Sequence, residues 1–136
     1  MATLETVYLG NLRTEITHVQ SGNKVITDAP VDNNGKGEYI SPTDMVAAAL
    51  GSCMLTIMAQ ATAKLGTDLD GTRLETTKIM ASEPRRIAEI VIDVHFPHDY
   101  DEKTKTILQR AADLCPVAKS LREDLVQTVR FHFPGA

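Results

Sequence analysis

The 136-residue sequence has no Trp, only three Tyr and three Phe, and only two Cys. With so few rings, aliphatic side chains and Met must fill most of the core. Two cysteines give no disulfide framework, and none is needed, since a chain of this size buries roughly two-thirds of its unfolded surface on folding. Positive charge is not in surplus either: 14 Lys+Arg stand against 18 Asp+Glu, for a net charge of −4. A nucleic-acid binder needs an excess of Lys and Arg on its contacting face, so that class is set aside. The start, MATLETVYLG, has neither a basic n-region nor a long apolar h-region, and a cytoplasmic location is expected. The longest apolar-dominated stretch, Met45 to Ala59, is shorter than the ~18 residues that span a bilayer, so no membrane partner is expected.

What is present is ordinary for a soluble globular protein: 43% apolar and 24% charged residues. No repeat, low-complexity tract or linker divides the chain, and residues 1–136 read as a single domain. The first forty residues are β-rich. Val7 to Thr17 carries β-branched residues, Gln20-Ser21-Gly22-Asn23 reads as a turn, and Lys24 to Thr27 resumes the strand pattern. Asp32 to Gly37 is a polar loop. Ser41-Pro42-Thr43-Asp44 then signals a helix start, with Ser as N-cap, Pro at the first helical position and an acid three residues after the cap. The helix runs through Lys64 to a terminating Gly66. Apolar residues occupy nearly every side of it from Met45 to Ala59, and a helix apolar all round is buried all round. One sheet covers one side, so the other is expected to pack on a second subunit.

Strands are expected from Gly71 to Ala81 and from Ile90 to Phe96, a second helix from Asp101 to Leu114, a short third helix from Pro116 to about Glu123, and a last strand around Thr128 to Phe133. The order β-β-α-β-β-α-α-β with short loops is α+β rather than doubly wound.

The residues that can carry chemistry are few. Cys53 lies mid-helix after Gly51 and Ser52, two small residues that leave room near its thiol. Free Cys is among the most buried residue types, so a packed core thiol is the plain alternative to a reactive one. Cys115 directly precedes Pro116 at a helix start, where the positive dipole end favours a thiolate. His95 and His98 are interrupted by Pro97, and no acids or cysteines complete a metal set around them. His18 and His132 sit on polar strand faces. Gly35-Lys36-Gly37 lacks the rest of a phosphate loop. Arg85-Arg86 is an isolated basic pair, and Met54 with Met58 reads as packing.

Two segments together resemble a known family. Ser41 to Cys53 (SPTDMVAAALGSC) is similar to the first-cysteine helix of the OsmC/Ohr family, osmotically inducible protein C and organic hydroperoxide resistance proteins. Cys115 to Leu121 (CPVAKSL) is similar to its second-cysteine motif. The resemblance covers essentially the whole chain. It implies antiparallel sheets packed around a long central helix in an intertwined homodimer, with each active site at the subunit interface. It further implies a thiol-dependent peroxidase, an antioxidant enzyme of the oxidative stress response. That enzyme reduces organic hydroperoxides without metal or prosthetic group and is reset by a dithiol reductant of lipoyl type.

By the same resemblance Cys53 is the peroxidatic thiolate, Cys115 the resolving thiol, and Arg13 the cation that keeps Cys53 ionised in an apolar site. The roles of the two thiols can also be exchanged, given the position of Cys115 at a helix start. One position departs from the family pattern: hydroperoxide-reducing members carry Glu after the Pro of the helix start, where it holds the Arg, and here that residue is Thr43. Asp44 or Glu38 is a candidate substitute. About 15 Å of helix separates Thr43 from Cys53, so no side chain at the helix start reaches its own chain's thiol. With the Glu gone, the alternative is a non-enzymatic protein that keeps the fold, binding a small ligand or sensing redox state.

Overall fold

The computed structural model describes residues 1–135. Its contacts divide the chain into two compact units, Met1–Val46 and Ala47–Ala136.

The first unit is a meander of β1 (Leu4–Gly10), β2 (Arg13–His18) and β3 (Lys24–Asp28), paired antiparallel in that order. The stretch from Val7 to Thr17 is therefore not one strand but two. The chain reverses at Asn11 and Leu12, which both take positive φ (56° and 62°), the backbone that matches strand twist in a two-residue hairpin. Asn tolerates that conformation and Leu does not favour it, so the turn carries no clear residue signal. The pairing slips between Tyr8 and Gly10, which leaves Leu9 as a bulge. Across the second hairpin, Thr17 faces Lys24 and Arg13 faces Asp28. The polar loop that follows folds back tightly. A side chain on Gly35 would collide with the Ala29 carbonyl oxygen at 1.7 Å, and the Gly35 amide donates to the Pro30 carbonyl at 2.9 Å.

Helix α1 (Pro42–Thr62) starts where its cap predicts. The Ser41 hydroxyl accepts from the Asp44 amide at 3.0 Å, and the Asp44 carboxylate accepts from the Ser41 amide at 3.1 Å, a reciprocal capping box. The helix tightens into a 3-10 turn at Ala63–Leu65 and ends at Gly66, left-handed at φ 67°. From Pro42 to Leu65 it is 24 residues with a mean hydropathy of 1.5, longer than the apolar stretch suggests and, by length and composition alone, enough to cross a bilayer. Its side chains show a different use. Ala47, Leu50, Gly51, Met54, Met58 and Thr62 form one buried face, while Ala48, Ala49, Ser52, Thr56 and Ala59 are exposed. Burial all round, expected from the sequence, is thus confined in the single chain to one face.

That face belongs to the core of the second unit. Here β4 (Arg73–Ala81), β5 (Arg86–His95) and β6 (Val126–His132) form a sheet in the order β4-β5-β6. β4 and β5 are antiparallel, but β6 runs parallel to β5, so the expectation of antiparallel sheets holds for every pair except this one. The reason is the crossover: helices α2 (Glu102–Asp113) and α3 (Pro116–Ser120) separate β5 from β6, and a helical crossover brings the chain back in the same direction. Alternate residues Ile90, Ile92 and Val94 of β5 are fully buried with Leu50, Met58 and Leu108. α2 is capped by Asp101, whose carboxylate accepts from the Thr104 amide at 2.8 Å. α3 is shorter than expected and stops at Ser120, because Leu121 turns extended at ψ 153°.

Candidate functional site

The helix and strand packing just described brings the two cysteines together. Cys53 sits on α1 one residue before buried Met54 and is half-buried; Cys115 is fully buried and is the N-cap of α3. The space next to Cys53 is not open at Gly51. A side chain there would meet Leu74 Cδ1 of β4 at 2.6 Å, so the glycine lets β4 approach the helix. Ser52 is exposed.

Cys115 Sγ accepts from the Ala118 amide at 3.4 Å. The helix start alone would lower this thiol's pKa, but burial outweighs it and pushes the thiol up. The Ala118 amide pulls it partly back. The neighbouring Cys53 raises it again, through a hydrogen bond that favours protonated Cys115 as donor and through its charge. The expectation of a thiolate at Cys115 is therefore reversed: this sulfur holds its proton and offers it toward Cys53. A polar cavity lies on the same unit, lined by Met54, Asp113, Ala118, Lys119, Gln127 and Val129, and Gln127 Nε2 donates to the Ala118 carbonyl across it at 3.0 Å.

Arg13 belongs to the first unit, where its guanidinium is tightly held. Nε donates to Asp28 Oδ1 and Nη2 to Asp28 Oδ2, both at 2.9 Å, in a two-pronged pair. Nη2 also reaches Glu38 Oε1 at 3.4 Å, and the guanidinium stacks 4.7 Å from the Tyr39 ring centroid. Asp28 is fully buried, and its Oδ2 also accepts from the Glu38 amide at 3.1 Å. The Arg13 hydrogen bonds hold the Asp28 carboxyl below the usual carboxylate range, and Asp28 in turn raises the guanidinium. Of the candidate substitutes for a helix-start Glu, Asp44 is occupied as the cap and Glu38 is a mostly exposed second partner. Thr43 Oγ1 lies 3.2 Å from Ser41 Oγ. The principal anchor, Asp28, is one the sequence reading did not name.

The remaining candidates are structural. Met54 and Met58 are core. Arg86 closes its turn on the Ser82 and Pro84 carbonyls at 3.1 and 3.0 Å. His132 Nε2 lies 2.8 Å from Asp93 Oδ1 and its ring stacks on His95, centroids 4.7 Å apart.

An α+β chain with a capped central helix and two contacting thiols defines a class of two-cysteine proteins. The family model for OsmC-like protein matches residues 35–130, and the chain belongs to that family. A Psychrobacter arcticus structure, provisionally named for an osmotic stress and detoxification response, is 48% identical, with 97% of this chain and 96% of that one covered at a TM-score of 0.94. An organic hydroperoxide resistance protein from Legionella pneumophila shares the fold at 13% identity, TM-score 0.75, over 96% and 97% of the two chains. One from Elizabethkingia anophelis does so at 12% identity, TM-score 0.75, over 98% and 97%. No curated protein sequence matches the chain.

Proposed function

We propose that this protein is a cytoplasmic, homodimeric thiol peroxidase that reduces organic hydroperoxides. The observation that carries the reading is the contact between half-buried Cys53 and buried, protonated Cys115. It gives each sulfur one task. The Cys53 thiolate attacks the distal peroxide oxygen, the O–O bond breaks, and the alkoxide leaves as an alcohol after taking a proton. Cys53 becomes a sulfenic acid. The Cys115 sulfur then attacks the Cys53 sulfur, water departs, and a disulfide joins the two. An external dithiol, of lipoyl type, restores both thiols and is itself oxidised to its disulfide. Arg13 supplies the positive charge that favours the attacking thiolate. The names of the Legionella pneumophila and Elizabethkingia anophelis proteins support the substrate class, and the P. arcticus name supports a detoxification role.

The dimer is supported by the exposed side of α1 and by the exposed apolar side chains of β1, among them Leu4, Val7 and Tyr8. Steady-state consumption of cumene hydroperoxide with dihydrolipoamide tests the reading, run beside Cys53→Ser. Sustained turnover lost in the variant is the expected result. Disulfide formation without turnover would replace the enzyme with a redox sensor. Thiols that stay reduced under peroxide would leave a binding protein.

A further inference from the structure

We infer that Asp28 is the positioning residue for Arg13, taking over the task that a carboxylate at the start of α1 performs where Thr43 stands here. The inference rests on the proposed role of Arg13. Asp28 meets the geometric demands of an anchor. It lies directly across the β2–β3 ladder from Arg13, both of its oxygens receive guanidinium hydrogen bonds at 2.9 Å, and it is fully buried. Its third hydrogen bond, from the Glu38 amide, and the bond from its own amide to the Ile40 carbonyl at 3.1 Å tie it to the segment that leads into α1. Glu38 is a weaker candidate, with one contact at 3.4 Å from a side chain 60% exposed. A two-pronged pair fixes the plane of the guanidinium as well as its place, which a single contact does not. The anchor is consequently part of a hairpin ladder, and the direction of the cation follows from strand register.

The sign of the effect separates positioning from simple charge. Removing a buried anion near a reactive thiol would by itself make the thiolate easier to form. Losing the anchor of the cation makes it harder. The test is the pH profile of iodoacetamide alkylation at Cys53, read peptide by peptide in the full-length protein, a measurement that needs no peroxidase turnover. Arg13→Ala and Asp28→Asn are each expected to move the profile to higher pH and slow alkylation at neutral pH by about tenfold, one unit of thiol titration. The double variant should be no slower than Arg13→Ala, and Glu38→Gln should move less than Asp28→Asn. Circular dichroism confirms folding, and Asp28→Ser makes the same comparison if Asp28→Asn does not fold.

A normal or faster profile for Asp28→Asn beside a slowed Arg13→Ala overturns the anchor and leaves the function standing. Additive effects in the double variant, or a larger effect at Glu38, also overturn it. An unchanged Arg13→Ala removes both the cation's role and the anchor.

Discussion

The two units of this chain are held by different forces. In Met1–Val46 the fully buried side chains are Thr27, Asp28 and Ser41, all polar and all hydrogen-bonded or ladder residues. In Ala47–Ala136 the buried set is apolar, from Ala47 through Leu50, Met58, Ile92 and Leu108 to Cys115. A three-stranded meander is too small to close a hydrophobic core of its own, and this one leaves Leu4, Val7, Tyr8 and Val25 in contact with solvent. Directional bonds specify geometry at modest net stability, whereas apolar burial supplies stability with little direction. The division suits the proposed chemistry: the unit that aims a cation is wired by hydrogen bonds, and the unit that shelters the thiols is packed by hydrocarbon.

The largest effect should fall on the sheltered sulfurs. Cys53→Ser is expected to lower peroxide turnover by at least about a thousandfold, as loss of a nucleophile does. Cys115→Ser should react once and stop, with a sulfenic acid on Cys53 that a dimedone probe captures by mass spectrometry. A sulfenic acid found on Cys115 in the Cys53 variant would exchange their roles.

Stability should then divide by unit. Leu50→Ala empties a fully buried position and should cost about 2–5 kcal/mol in urea unfolding. Val7→Ala, on an exposed strand, should cost within about 0.5 kcal/mol in the same assay. An equal cost at both positions would show that β1 is covered as deeply as α1 in the assembled protein, and sedimentation of Val7→Ala at low micromolar concentration would then show a weakened dimer.

Dependence on pH should divide the units again, more gently. The folded Asp28 carboxyl titrates below its unfolded range, so its contribution is present above about pH 4 and is lost as pH falls through the lower folded value. Acid unfolding should therefore begin later in Asp28→Asn relative to that protein's own neutral stability. The folded Cys115 thiol titrates above its range, so its contribution is present below the unfolded pKa of about 8.5 and declines as pH rises beyond it. Cys115→Ala should flatten that alkaline decline, visible in melts from pH 8 to 10. A decline of the same slope in both proteins would mean that Cys115 gains solvent in the assembled state.

Much of the second unit was legible in the sequence because its signals are local and strong. Ser41 with Asp44 announces the start of α1, Gly66 its end, and the alternation of Ile90, Ile92 and Val94 a strand with one buried face. The parallel partner of β5 was not legible, since neighbours in a sheet are chosen by the crossover and not by any residue in β6. The first unit was harder. A turn read at Gln20 to Asn23 centres the hairpin too far along the chain and would set Arg13 opposite Pro30; the actual ladder, with Thr17 opposite Lys24, sets it opposite Asp28. A small slip of register thus hid the main partner of the candidate cation. The cysteine pair was visible only as two motifs; that their sulfurs touch depends on Gly51 admitting β4 and on α3 turning Cys115 inward.

The sulfur that caps α3 has one further consequence. Because the Ala118 amide hydrogen points at Cys115 Sγ, that amide is a built-in reporter of the sulfur's bonding. When Cys115 trades its proton for a bond to another sulfur, the electron density facing Ala118 changes while the backbone around it need not. The nitrogen-15 shift and exchange rate of a single amide should therefore follow the oxidation state of the protein in solution, without a label and without stopping the reaction.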